Sequence, residues 1–141
     1  MHAKTNIFLV LILCLAAWGC ASPLDYQPVW AIARPTEEGM LYGVGTCGRA
    51  YTPERARRLA IQRAVAEIAY QALGTDDYTF EVQKESEDHT LTVKALLDGR
   101  TARVIEGVEV ADEVLYPASD GWHERDTIYV LVRIPASSLP F

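Results

Sequence analysis

One stretch of the sequence has a spacing of residues known from enzymes, the run Gly43-Val-Gly45-Thr-Cys-Gly48. It matches the G-x-G-x-x-G pattern with which dinucleotide-binding proteins hold a pyrophosphate at the start of a helix. In that motif the helix opens on the glycines, whereas the first helix-start signal here, Thr52-Pro53, lies four residues beyond Gly48. The sequence also offers one strand-helix step instead of alternating β-α units. We therefore predict that the glycines let a strand approach the helix closely, with an enzyme that binds a nucleotide as the weaker alternative.

Other residue types that carry catalysis or bind metals form no coherent set in the sequence. His89 and His123 lie in separate polar segments, and neither has a cysteine or carboxylate at ligand spacing that would single it out. The acidic clusters Asp76-Asp77 and Glu85–Asp88 lack the alternating spacing and the glycine of a calcium loop. We therefore predict no catalytic residue, no metal site and no cofactor, and we interpret both histidines and both clusters as surface features.

The clearest chemical assignment is lipidation of Cys20. An apolar run from Ile7 to Ala17 follows Lys4 and is shorter than the roughly 20 residues of a membrane-spanning helix, which is typical of a secretory signal peptide. A cysteine at the end of such a run resembles a bacterial lipobox, although Ala17 and Trp18 stand where leucine and a small residue are usual. We predict a signal peptide over residues 1–19 and an acylated Cys20; an ordinary signal peptide and a retained membrane anchor are the alternatives.

Acylation of Cys20 would decide where the protein resides. Two or more acyl chains anchor a protein stably, because each buried CH₂ contributes about 0.8 kcal/mol. Ala21 and Ser22 follow the cysteine where aspartate would retain a Gram-negative lipoprotein in the inner membrane. The sequence therefore predicts an outer-membrane lipoprotein whose partner is membrane lipid, with the domain on the periplasmic face in preference to the cell surface.

Cysteine usage and charge narrow the function classes further. Cys14 would leave with the signal peptide and Cys20 would carry lipid, so Cys47 would be the one free cysteine of the mature chain. No internal disulfide could then form. We interpret Cys47 as a small core residue. Loss of Lys4 leaves twelve basic and nineteen acidic side chains, a net charge of −7. An acidic chain of this kind argues against nucleic acid as a partner and against a polybasic membrane patch.

The best-specified element is an Ala-rich helix over residues 52–73. Thr52 is a good N-cap, Pro53 suits the first helical position, Glu54 complements the helix dipole, and Gly74 is the expected terminator. A period of 3.6 residues places one apolar stripe on the helix, with Arg63, Glu67 and Gln71 along one side. The predicted stripe consists of Ile61, Ala64, Val65, Ile68, Ala69 and Ala72.

The remaining sequence predicts strands on both sides of this helix. A strand over residues 40–50 precedes it, and alternating segments follow it over 78–87 and 91–95; the sequence leaves open whether Glu85–His89 is a turn or the middle of one long strand. Asp98-Gly99 predicts a hairpin turn and Gly107 a bulge. Pro117–Gly121 predicts a further turn, and the run Thr127–Ile134, apolar on both sides, predicts a central strand.

Together these elements predict a small α+β domain over residues 39–135, with one helix packed on an antiparallel sheet of three to five strands. Residues 20–38, which include Pro23, Pro28 and Pro35, would form the tether, with Trp30 docked on the domain or on a partner, and residues 136–141 would form a C-terminal tail. A single helix covers one face of the sheet. Because the last strand is apolar on both sides, we expect the other face to be covered by a second molecule, which predicts a homo-oligomer.

Several of these segments together resemble the Lpp-twenty lipoprotein family of small bacterial envelope proteins. The similar segments are the lipobox, Pro28-Val-Trp30, Tyr42-Gly-Val-Gly45, the Ala-rich helix, Gly107-Val-Glu-Val110 and Tyr129–Pro135. The resemblance implies an SHS2-like strand-helix-strand-strand module, attachment to the outer membrane through Cys20, no catalytic residues, and in some members a role in assemblies around the flagellar motor.

The sequence thus supports three hypotheses. The favoured one is a lipid-anchored structural or assembly protein of the bacterial envelope, with an envelope or flagellar protein as a further partner. The second is a periplasmic ligand-binding or sensing module, which requires a lined pocket between helix and sheet. The third is an enzyme, which rests on Gly43–Gly48 alone.

Overall fold

The computed structural model describes residues 27–48, 52–116 and 126–139. Predictions that concern residues 1–26, among them the signal peptide and Cys20, lie outside the described residues, as do those for the turn at 117–121 and for His123. No helix in the described ranges has the length and apolarity needed to span a bilayer.

The described residues form an α+β fold in which one long helix packs on a five-stranded antiparallel sheet, as predicted. The first strand is followed by the long helix and two strands, which is the predicted strand-helix-strand-strand order. Two further strands come after these and are not part of that predicted order. The elements are α1 (Val29–Ile32), β1 (Met40–Gly48), α2 (Pro53–Leu73), β2 (Tyr78–Glu85), β3 (Thr90–Leu97), β4 (Arg100–Tyr116), β5 (Thr127–Pro135) and a 3-10 turn (Ala136–Ser138).

The ends of α2 are those that the sequence predicts. The Thr52 hydroxyl accepts a hydrogen bond from the Arg55 backbone N–H at 3.2 Å, which satisfies one of the unpaired donors of the first turn. Gly74 ends the helix with a φ of 69°, a left-handed conformation that suits glycine, and its N–H donates to the Tyr70 carbonyl at 2.8 Å.

The strand order in the sheet is β1-β5-β4-β3-β2, which places β1 and β2 at the two edges. The last strand, β5, lies between β1 and β4, so the prediction of an interior strand is confirmed. Opposite residues of an antiparallel pair point to the same face. Gly43 pairs with Val132 on the face toward α2, called the inner face, and Val44 pairs with Leu131 on the outer face.

The turns and bulges settle what the sequence left open. The segment Ser86–His89 is a turn between β2 and β3, with His89 at a φ of 62°. Asp98 and Gly99 form the two-residue hairpin turn, both with positive φ, as type I′ turns require. Gly107, at a φ of 75°, lies where the β3–β4 register shifts, which confirms the bulge. A further register shift lies in the β4–β5 pair, between Val110 and Asp112, where no glycine predicts it from the sequence.

The core lies between α2 and the inner face of the sheet. The predicted helix stripe is buried except for Ala72, which is exposed near the end of the helix, and it extends further toward the N-terminus, through Ala60 to Ala56. The largest fully buried side chains are Ile61, Ile68, Leu91, Ile105, Ile134, Val65, Val93, Val108, Val130 and Val132. Cys47 is buried in this cluster, as expected of a small core residue.

Both ends of the predicted domain contain more structure than expected. The Pro-rich segment before β1 was expected to hold no regular element, but its Val29–Ile32 part forms the one-turn helix α1, started by Pro28. After β5, the Ala136 N–H donates to the Gly39 carbonyl at 2.8 Å and Leu139 packs against the core. The folded unit therefore includes α1 and extends to Leu139.

Candidate interaction site

The closest contact between helix and sheet is formed by two glycines of β1 and two alanines of α2. A Cβ atom added to Gly45 would lie 1.7 Å from the Ala60 carbonyl oxygen, and one added to Gly43 would lie 2.2 Å from the Ala64 carbonyl oxygen. Neither distance is compatible with a side chain. The backbone of α2 therefore lies directly on the backbone of β1, and the predicted packing role of these glycines is confirmed.

The same contact excludes a phosphate site at Gly43 and Gly45. The space above both glycines is occupied by the backbone of the middle of α2, not by the start of a helix that could receive an anion. The third glycine of the pattern, Gly48, has no atom within 4 Å of an added Cβ and is not part of the contact. The G-x-G-x-x-G spacing thus has a packing explanation at its first two glycines.

Direct packing on β1 brings one row of α2 side chains to the free edge of that strand. The carboxylate of Glu67 accepts from the Val44 N–H at 2.6 Å, and Arg63 donates to the Thr46 carbonyl at 2.6 Å. Gln71 donates to the Tyr42 carbonyl at 3.5 Å. These backbone groups point away from β5, where a further strand would otherwise bind. The side chains of α2 therefore cover the β1 edge.

The regular spacing of these bonds follows from the geometry of the two elements. Four residues of an α-helix advance about 6 Å, and two residues of a strand advance about 6.7 Å. Arg63, Glu67 and Gln71 are spaced by four along α2, while their backbone partners are spaced by two along β1. The helix runs antiparallel to the strand. Each turn of α2 therefore meets one residue of β1 whose backbone groups point away from β5.

A residue outside the helix extends this cover. Arg34, which follows α1, pairs with the other carboxylate oxygen of Glu67. Glu67 thus holds both the β1 backbone and the segment that precedes β1. A strand from another molecule would have to displace Arg34, Arg63, Glu67 and Gln71 before it could pair with β1.

The opposite edge, β2, is different. Among the described residues, no row of side chains bonds to the outer backbone between Thr79 and Lys84, and Thr79, Glu81, Gln83 and Lys84 are all exposed. Gln83 has no partner in β3, because the register shifts between Val82 and Lys84. A bulge of this kind twists an edge strand without occupying its backbone groups. Within the part of the chain that the structure describes, the sheet therefore has one covered edge and one open edge.

A charged cluster ties α2 to the sheet near the β2 end. Arg57 donates through both terminal nitrogens to Glu85, at 2.6 and 2.8 Å, and through Nε to Glu113 at 2.6 Å. His89 contacts Glu85 at 3.1 Å. The hydrogen bonds from Arg57 lower the pKa of Glu85, and the same bonds raise the pKa of Arg57. The cluster is a fixed, satisfied ion-pair network, which is a structural arrangement and not a poised acid-base pair.

A cleft of about 310 Å³ lies beside this cluster at the N-terminal end of α2. Its wall is mainly apolar and includes Cys47, Ala56, Leu115 and Ile128, while Arg57 and Glu113 lie at its border. A lined pocket between helix and sheet was the condition for a ligand-binding module, and the structure meets that condition. No group of His, Cys, Asp or Glu side chains in the described ranges could hold a metal ion.

The outer face of the sheet is partly covered by the chain itself. The indole nitrogen of Trp30 in α1 donates to Asp112 of β4 at 2.8 Å, so Trp30 docks on its own domain. The Tyr42 hydroxyl donates to Glu37 at 2.8 Å. Tyr42 and Leu131 are buried on this face, at 9% and 4% exposure, although neither belongs to the core under α2. The chain itself thus covers part of this face, and the homo-oligomer stays a prediction.

The structure thus brings together residues that the sequence did not link. Arg63, Glu67 and Gln71 were recognised as one side of the helix, but nothing assigned them to a strand edge; their spacing by four was the available signal. The ion-pair partners Arg57, Glu85 and Glu113 are far apart in sequence, and no sequence signal links them. Cys20 lies outside the described residues. Comparison of the chain with protein-family models, with curated proteins and with solved structures gave no match.

Proposed function

We propose that this chain is a lipid-anchored lipoprotein of the bacterial envelope with a structural or assembly role. The observation that carries the proposal is the asymmetry of the sheet, in which α2 side chains cover the β1 edge and leave β2 open. A module that assembles through one strand edge needs the other edge blocked, since two open edges would allow uncontrolled growth. The occupant we propose for the β2 edge is a second copy of this chain, paired antiparallel.

The anchor in this proposal is Cys20. Gln27, the first described residue, lies seven positions after Cys20, a distance of at most about 25 Å when the chain is fully extended. Because Trp30 is hydrogen-bonded to the domain, the free tether is shorter than the expected segment of residues 20–38. An acylated Cys20 would therefore hold the domain close to the membrane, on the periplasmic side of the outer membrane in our proposal.

The family resemblance stays part of the proposal. The described order β1-α2-β2-β3 is partly consistent with an SHS2-like strand-helix-strand-strand module; β4 and β5 follow in the chain and lie between β1 and β3 in the sheet. We propose membership of the Lpp-twenty lipoprotein family on the segments quoted above, with an envelope or flagellum-associated assembly as the setting. Deletion of the gene followed by a motility assay would test the flagellar part separately.

The anchor is tested by fractionating cells that express the wild type or Cys20→Ala, with mass spectrometry of the mature N-terminus. We expect the wild type in the outer membrane with acyl chains on Cys20, and the variant soluble in the periplasm. Identical fractionation of both proteins would overturn the lipoprotein assignment.

The assembly contact is tested by a proline in each edge strand. Gln83→Pro changes the bulge residue, which has no register partner in β3, so it should block strand addition at β2 and disturb the ladder to β3 less than a proline at a paired residue would. Thr46→Pro is the matched change at β1, where the edge is already covered. Crosslinking of intact envelopes should lose the oligomer with Gln83→Pro and keep it with Thr46→Pro. An oligomer that survives Gln83→Pro, in a variant shown to be folded by circular dichroism, would rule out the β2 contact.

The cleft at Cys47, Ala56, Leu115 and Ile128 supports a second candidate function, a ligand-binding or sensing module. Its apolar wall suits an aliphatic or aromatic small molecule. Thermal denaturation with fatty acids and apolar envelope metabolites would test this candidate. A rise in melting temperature that is lost in Ala56→Phe would support it, and the absence of any shift with those compounds would exclude it for them.

A further inference from the structure

The surface of α1 carries two exposed apolar side chains next to the point where the tether joins the domain. Val29 is 66% exposed and Ile32 is 52% exposed. They are three residues apart, so they lie side by side on one face of the helical turn. Trp30 points the other way, toward Asp112. The helix α1 thus uses one side to bind the sheet and presents a small apolar surface on the other.

The position of this surface relative to the anchor is fixed by the chain. Val29 lies nine positions after Cys20, a reach of at most about 32 Å. The Trp30–Asp112 hydrogen bond fastens α1 to β4, and α1 is the first described element after Cys20. Once Cys20 is held in a bilayer, Val29 and Ile32 are among the parts of the described domain that the chain keeps nearest to it.

We infer that Val29 and Ile32 form a second, noncovalent contact of the domain with the bilayer to which Cys20 is anchored. This inference rests on the proposed acylation of Cys20. Two side chains would bind a membrane only weakly on their own, but a short tether makes the contact intramolecular and raises its effective concentration to the millimolar range or above. The apolar side chains would enter the interfacial layer and orient the sheet relative to the membrane plane.

The chemistry of this contact is apolar, because the charged residues that follow α1 form no basic patch; Arg34, the one cation between α1 and β1, is already paired with Glu67. Glu37 and Glu38 follow α1 and are exposed, and the mature chain carries a net charge of −7. Anionic lipid headgroups would repel these carboxylates. Raising the salt concentration screens that repulsion, so it should strengthen the contact or leave it unchanged.

The test uses the full-length lipidated protein in vesicles of phosphatidylethanolamine and phosphatidylglycerol that contain nitroxide-labelled lipid. A polarity-sensitive fluorophore is attached at Ala33→Cys, which is exposed at the end of α1 and leaves Val29 and Ile32 intact. The matched control is Thr101→Cys, exposed eleven residues along β4 from Asp112, about 35 Å away. Both are made in a Cys47→Ala background.

We expect the label at position 33 to be quenched at least threefold more than the label at position 101. The double change Val29→Asp with Ile32→Asp should abolish that difference while mass spectrometry still finds acylated Cys20. Equal quenching at both positions in an acylated protein, or quenching at 33 that collapses in high salt, would overturn the inference alone. A protein without acyl chains on Cys20 would overturn the proposed function together with it.

Discussion

The carboxylate of Glu67 accepts a hydrogen bond from the backbone N–H of Val44 at 2.6 Å, joining the middle of α2 to the outer edge of β1 across 23 residues of sequence. An edge strand normally leaves such N–H groups free to pair with another chain. Here the Val44 N–H and the neighbouring Tyr42 and Thr46 carbonyls are bonded to side chains of α2, so this edge is covered against strand addition.

Removal of the Glu67 carboxylate should open this edge. Glu67→Ala leaves the Val44 N–H without its partner, and we expect a loss of about 1 kcal/mol in the free energy of unfolding together with new self-association. Sedimentation velocity and urea denaturation would measure the two effects. Glu67→Gln is the control, because an amide oxygen still accepts from Val44, and it should remain closer to the wild type in its association state.

A methyl group on Gly45 should be severely destabilising. The added Cβ would lie 1.7 Å from the Ala60 carbonyl oxygen, so α2 would have to move away from β1, and we expect a loss of about 3 kcal/mol or more in the free energy of unfolding. Gly48→Ala, where the added Cβ meets no atom within 4 Å, should cost less than about 1 kcal/mol. Equal urea midpoints for the two variants would contradict the described packing.

The Arg57–Glu85 ion pair should make stability depend on pH. Because Arg57 lowers the pKa of Glu85 in the folded state, the folded carboxylate holds its charge to lower pH than the unfolded one. The resulting stabilisation is complete above the unfolded pKa, about 4.3 for a free glutamate, and is lost as the pH falls below that value and through the lower, folded pKa.

Glu85→Gln removes this titration, so the wild-type protein should lose about 1 kcal/mol more than the variant over that fall in pH; the value is small because the pair is partly exposed. Guanidinium unfolding at several pH values, with Glu81→Gln as a control on the exposed part of β2, would measure it. Parallel pH profiles for wild type and Glu85→Gln would show that the pair does not form in solution.

The hydrogen bond between Trp30 and Asp112 should be detectable as an energetic coupling. Trp30→Phe removes the indole donor and Asp112→Ala removes the acceptor, and each change should lower the free energy of unfolding by about 1 kcal/mol. A double-mutant cycle should give a coupling of about 0.5 to 1 kcal/mol. Additive effects, with no coupling, would mean that α1 does not dock on β4.

Local sequence signals determined the helix and the turns of this protein. Thr52, Pro53 and Gly74 bound α2 because caps depend on residues within a few positions of one another. Asp98-Gly99 and Gly107 likewise predicted a turn and a bulge, because tolerance of a positive φ angle depends on the type of the single residue. The run of β5 that is apolar on both sides predicted an interior strand for a comparable reason, since it depends only on the types of successive residues.

The tertiary structure alone decided what these elements do for one another. The sequence showed Arg63, Glu67 and Gln71 on one side of a helix, but their bonds to β1 depend on how far α2 is displaced toward that strand. The contact of Gly43 and Gly45 with Ala60 and Ala64 fixes that displacement. Two further features likewise depend on residues that are distant in sequence. One is the burial of Tyr42 and Leu131 beside α1, and the other is the pairing of Arg57 with Glu85 and Glu113. Such contacts depend on the relative placement of whole elements, which no local pattern specifies.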